Sequence, residues 1–307
     1  MLTSFFGKSN PINYLLLGIL IFAAFILKIF LVENTTIDLA SMLEHFVLGV
    51  LMGFSMLLLD FIVRKNNLTK NNTYGIFLFT CFLVSFPAVF LNSTIILTNI
   101  FLLMALRKIL SFRTSKNMEK KILDASLWIS FASFFYFWSL LFFFVLYFAL
   151  VRKSNTNYKQ LLIPIVGFLG MFVLATSFYF LTTDSFDWFF IWQSPLGFDF
   201  SAYNFGGLLL PTAVIATFLI WAGVFRFFKL GAMQKREKPN AIIILITVIT
   251  AVFIGLASPQ KTETEVFFVL APLAILTANY IENIEEFWFK EVLLWLAVLL
   301  PTIVFIL

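Results

Sequence analysis

Apolar runs of about 17 to 25 residues recur along the whole 307-residue chain, each long enough to cross roughly 30 Å of hydrocarbon as a helix. With 61% hydrophobic and 12% charged residues there is too little polar surface to cover a soluble globule. The expected fold is all-α, a polytopic membrane helical bundle forming one integral membrane domain over 1–307. The polar breaks place helices near 12–32, 42–63, 74–91, 94–111, 123–136, 139–151, 160–182, 206–228, 241–257, 265–284 and 290–307. That is about 11 transmembrane helices, with a range of 9–12 set by the ambiguous stretches 123–151 and 282–291. The first run has no small-residue cleavage pattern before Glu33, so it reads as a retained helix.

Charge orients this map. The N-terminus and the segments 64–73, 107–121, 152–159 and 226–240 hold 18 of the 21 Lys and Arg residues, whereas 33–44, 183–204 and 258–265 hold eight acids and one lysine. Lys and Arg collect in cytoplasmic loops, which puts the N-terminus in the cytoplasm and predicts a bacterial inner-membrane protein. Both ends of 123–151 are basic, so that stretch is expected to turn back on itself around 136–139. The net charge of +5 calls for no nucleic acid, because basic rims beside anionic lipid headgroups account for it.

Cys81 is the single cysteine and His45 the single histidine. This excludes an intrachain disulfide, HExxH zinc and bis-histidine haem chemistry. No dedicated cofactor is expected, although a carboxylate at the outer surface is suited to a divalent metal as well as to proton transfer.

Three acid-bearing segments fall at the expected outer face. The first, ENTTIDLASMLEHF, carries Glu33, Asp38, Glu44 and His45, with Lys28 one turn earlier. Asp38 reads as a helix N-cap and Glu44 as a complement to the positive helix end, or the carboxylates read as base or metal ligand with His45 in support. Lys28 is placed to snorkel outward or to hold a phosphate. The second, TTDSFDWFFIWQSPLGFDFSAYNFGG, interleaves Asp184 and Asp187 with Trp188 and Trp192, either an interfacial aromatic belt or a sugar-binding surface. The third, SPQKTETE, holds Lys261, Glu263 and Glu265. The two glutamates fit the start of the next helix, while Lys261 either belongs to a turn or meets a lipid phosphate. Phe is abundant in 131–148, which suits lipid contact, packing or a groove for a polyprenyl chain. Asp60 lies four residues before Arg64 and is expected to pair with it.

At DASLWISFASFFYFWSLLFFFVLYFALVRK and GLASPQKTETEVFFVLAPLAILTANYIE the chain resembles a family of multipass inner-membrane proteins of Bacteroidota-type bacteria that has no established activity. It is also similar, more distantly, to the GT-C class of integral-membrane glycosyltransferases. That second resemblance implies a polyprenyl-phosphate-linked sugar donor, work in envelope glycan assembly, and a catalytic carboxylate in the first external loop. Asp38 takes that position, with Glu33 and Glu44 as rivals, and Lys261 lies near the donor phosphate. The class often has a large first loop with paired acids, whereas here the loop is short and its acids are spaced. The competing functions are a non-catalytic subunit of an envelope complex and a transporter or flippase. The charges cluster at helix ends rather than mid-helix, which argues against transport.

Overall fold

The computed structural model describes residues 1–32, 39–114, 116–153 and 157–306. Among them the chain forms helices and no strand: α1 Leu2–Phe6, α2 Pro11–Val32, α3 Leu39–Asn66, α4 Tyr74–Val84, α5 Ser93–Leu110, α6 Met118–Phe135, α7 Phe142–Val151, α8 Tyr158–Thr183, α9 Trp188–Trp192, α10 Gly206–Lys229, α11 Lys238–Ala257, α12 Phe267–Asn283 and α13 Phe287–Ile306. Short 3-10 turns join them at Pro87–Leu91, Phe137–Leu141, Ser201–Asn204 and Thr264–Val266. Eight helices among the described residues are long and apolar enough to cross a membrane, and the architecture is that of a helical membrane bundle.

Burial sorts the helices into layers. Every side chain of α4 and nearly every one of α12 is buried, so these two form the centre. By contrast α2, α8, α10 and α13 turn broad apolar faces outward, with Leu181 and Phe228 almost fully exposed. Such a surface belongs against lipid, where a helix is apolar all round. At the α6–α8 crossing, a Cβ on Gly167 would sit 2.0 Å from Ser126 Oγ, so only glycine allows this approach. Close packing at small residues is how membrane helices gain van der Waals contact where no hydrophobic drive separates protein from lipid.

The stretch 123–151 is a hairpin. Helix α6 stops at Tyr136, where the backbone turns extended, and α7 follows the 3-10 turn. Lys153 Nζ reaches Met118 Sδ at 3.4 Å, bringing the two basic ends together. Asp60 and Arg64 form the expected pair, at 2.7 Å.

Polar contacts divide the bundle into two ends. At the basic end, Glu291 accepts from the amides of Leu2 and Thr3, and Glu282 accepts from Lys70 N and Asn72 Nδ2. Lys108 pairs with Asp124 at the same end. At the other, acidic end meet the 184–205 and 258–266 segments, the α6–α7 turn and the Pro87–Leu91 turn.

Candidate functional site

The acidic end is built around residues 258–266, which fold inward instead of standing in solvent. Lys261, Glu263 and Glu265 are only 7%, 6% and 3% exposed. Three contacts hold the segment down. Glu263 Oε1 accepts from the amide of Ala88 at 2.8 Å, at the start of the Pro87–Leu91 turn. Tyr203 donates its hydroxyl to Glu265 Oε1 at 2.9 Å. Gly197 lies against the backbone of Ser258 and Pro259 so closely that a Cβ there would meet Pro259 O at 2.2 Å.

Lys261 faces its own helix. Its ammonium donates to the carbonyls of Gly255, Leu256 and Ser258 at 3.1, 2.7 and 2.9 Å, and it sits 4.9 Å from the Phe200 ring centroid. An ammonium has three donors, and here all three serve the C-terminal end of α11, where the carbonyls are otherwise unsatisfied and the helix dipole is negative. Burial lowers the lysine's pKa, and the nearby Glu265 opposes that shift. Glu265 Oε2 accepts from Thr262 N at 3.1 Å, tying the first turn of the helix to the residue before its N-cap.

Glu263 is different. Its backbone is left-handed, with φ of 67°. The other non-glycine residues with positive φ among the described residues are Asn67, Asn117 and Asp184, side-chain types that tolerate this region. Its Oε2 is buried and has no hydrogen-bond partner among the described residues. Burial raises its pKa; the Ala88 amide and the nearby Lys28 pull it down, and Glu265 pushes it up again. A strained, buried carboxylate with a lone oxygen is a group that packing alone does not explain.

Two cavities adjoin this segment. One of about 360 Å³ lies between α10, α11 and α12 and is apolar except for Tyr203, Thr212, Lys261 and Glu265, with the Thr212 hydroxyl also unpartnered among the described residues. The other, about 820 Å³, is lined by aromatic and aliphatic side chains of α6, α8 and α9 and reaches Pro259 at its edge. Trp188 and Trp192 line it together, their ring centroids 5.6 Å apart, and Trp192 Nε1 donates to Ser133 O at 2.6 Å.

The sequence-derived candidates distribute unevenly over this end. Asp38 and Glu33 lie outside the described residues. Glu44 is exposed on α3, and His45 Nδ1 lies 2.5 Å from Ser41 O. Phe25 links His45 to the site's edge, with ring centroids 6.1 Å from His45 and 5.9 Å from Phe90 in the Pro87–Leu91 turn. Lys28, half-buried, faces Glu263 electrostatically. Asp184 and Asp187 are exposed and flank the end of α8 and the start of α9. Glu263 and Glu265 form the buried polar centre, with the half-buried Tyr203 donating to Glu265, an arrangement not evident from their sequence neighbourhood. Among the described residues no group of three or more His, Cys, Asp or Glu side chains is gathered to hold a metal ion.

Residues 5–307 match the model of a family of unknown function, DUF6427. The chain belongs to that family. No curated protein and no solved structure matches it. Family membership therefore brings no activity with it.

Proposed function

We propose that this DUF6427 protein is a membrane-embedded transferase of the bacterial inner membrane, working at its external face on a polyprenyl-phosphate-linked sugar in envelope glycan assembly. The finer topology belongs to the same reading: 11 crossings, with the three further segments 74–91, 118–135 and 137–151 spanning alongside the eight long helices and the N-terminus in the cytoplasm. The positive-inside rule then puts the acidic end outside.

The observation that carries the reading is the buried, unpartnered Oε2 of Glu263, on whose carboxylate the charge of Lys28 acts. A carboxylate whose pKa is raised by burial suits a general base. In the proposed step an acceptor hydroxyl attacks the anomeric carbon of the donor. Its proton passes to Glu263, and the polyprenyl phosphate leaves with the bonding electron pair. Lys28 is the cation for that phosphate, because Lys261 already spends its donors on α11; Lys261 positions the segment instead. The aromatic cavity of about 820 Å³ next to Pro259 is apolar enough for the isoprenoid chain. Asp38, Glu33 and Glu44 remain the alternative carboxylates of the first external loop.

One observation favours a second reading, a non-catalytic membrane subunit. Lys261 and Glu265 satisfy neighbouring groups of their own chain, as a structural knot would. Native mass spectrometry on purified protein separates the two. A transferase retains a short-chain polyprenyl phosphate in preference to the matching polyprenol, and Lys28→Ala abolishes the preference. Equal retention of phosphate and alcohol by the wild-type protein speaks for the subunit.

A further inference from the structure

The basic end contains a second unexplained group, Arg226 in the last turn of α10. Its side chain is buried, the residue being 8% exposed, yet its Nε has no hydrogen-bond partner and it forms no ion pair within 4.0 Å among the described residues. The carboxylates of Glu282 and Glu237 act on it only through space. Glu282 is turned away to the loop, accepting from Lys70 N at 2.8 Å and Asn72 Nδ2 at 2.6 Å.

Arg226 faces a cavity of about 420 Å³, enclosed by α10, α11, α12 and the 66–70 loop. Polar side chains dominate the wall: the buried Asn240 and Asn279 beside Lys229, which donates to Asn283. A buried guanidinium Nε left without an acceptor is costly, and an occupant that brings negative charge and oxygen acceptors relieves that cost. The wall carries three cations, Lys70, Arg226 and Lys229, against two carboxylates, Glu237 and Glu282, which leaves an excess of positive charge. Guanidinium geometry matches the oxygens of a phosphate, and the amides suit a polar body attached to it. A volume of about 420 Å³ falls in the ordinary range for a small-molecule site.

We infer that this cavity binds a small phosphomonoester, with Arg226 as the anion-binding group and Lys229 and Asn240 beside it. The inference uses no residue of the acidic end and stands or falls apart from the transferase reading. A phosphomonoester arises free or as a lipid headgroup, so the test has two arms. The full-length protein in detergent is titrated with glycerol 3-phosphate, and the protein in phosphatidylcholine nanodiscs is compared with and without phosphatidic acid, both read by thermal unfolding.

Saturable stabilisation is expected in one arm, which identifies the source. It should weaken about tenfold or more in Arg226→Gln, the loss of a hydrogen bond to a charged group, and also in Asn240→Ala. It should persist in Lys116→Gln, which lies outside this cavity. If Arg226→Gln does not fold, Arg226→Lys and Lys229→Gln carry the comparison. Absence of saturable stabilisation in both arms, or equal affinity in wild type and the folded cavity variants, overturns the inference.

Discussion

Glu263 and Ala88 are 175 residues apart in sequence, yet the glutamate's Oε1 accepts the alanine amide at 2.8 Å. That bond pins the turn before α12 to the turn after α4, the two most buried helices of the bundle. The same carboxylate leaves its second oxygen buried and without a partner among the described residues. One oxygen is structural, and the other is the one the proposed transferase reading uses.

This division of labour separates two substitutions. Glu263→Gln keeps an oxygen for the Ala88 amide and buries no charge, so the folded protein should melt at or above the wild-type temperature at neutral pH. Glu263→Ala orphans a partly buried donor and should cost about 1–3 kcal/mol. Thermal unfolding of the purified protein in detergent measures both.

The raised pKa of Glu263 gives the pH dependence a sign. Between the ordinary carboxyl value of 4.5 and the raised value, the folded state holds more protons than the unfolded chain. Stability from this group is therefore fully present below 4.5 and is lost as the pH climbs through the raised pKa. Melting temperatures measured upward from pH 4.5 should fall more steeply for wild type than for Glu263→Gln. Parallel curves would mean that Glu263 titrates normally.

Lys261 and Lys28 should behave oppositely. Lys261→Met strips three carbonyls at the end of α11 of their donor, and about 1–3 kcal/mol of stability should go with it. Lys28→Ala should leave the melting temperature nearly unchanged while polyprenyl-phosphate retention is lost. Melting curves and native mass spectra of the two variants, taken side by side, distinguish the positioning lysine from the ligand-binding one.

The sidedness of the bundle is open to labelling. Cys81 is buried, so Cys81→Ala provides a background without a reactive thiol. On it, Asp187→Cys should react with a membrane-impermeant maleimide in intact spheroplasts, and Lys116→Cys only after lysis. The reverse pattern would invert the topology.

Much of the fold was legible in the sequence, because a bilayer-spanning helix needs a long apolar run and the chain breaks those runs with charge. The hairpin at Tyr136 followed from basic residues at both of its ends, and Asp60 with Arg64 from helical spacing. The site was less legible. A segment with a proline and three charges, 258–265, reads as a solvated turn, and its burial depends on partners far along the chain: Ala88, Gly197 and Tyr203. Periodicity carries no information about such contacts. The one local sign was Lys261, the sole basic residue in the acidic loops. It lies in the segment that the structure buries, and its ammonium serves the helix end. Arg226 gave no sign, since it sits among the many cations of the 226–240 segment.

The most direct test of the acidic-end site is complementation of a deletion strain's envelope-glycan defect by Glu263→Gln, with membrane levels and melting temperature matched to wild type. Loss of complementation by a folded Glu263→Gln protein, with Glu265→Gln retaining more activity, is the expected result. Full complementation by Glu263→Gln would contradict the assignment of this carboxylate to the chemistry.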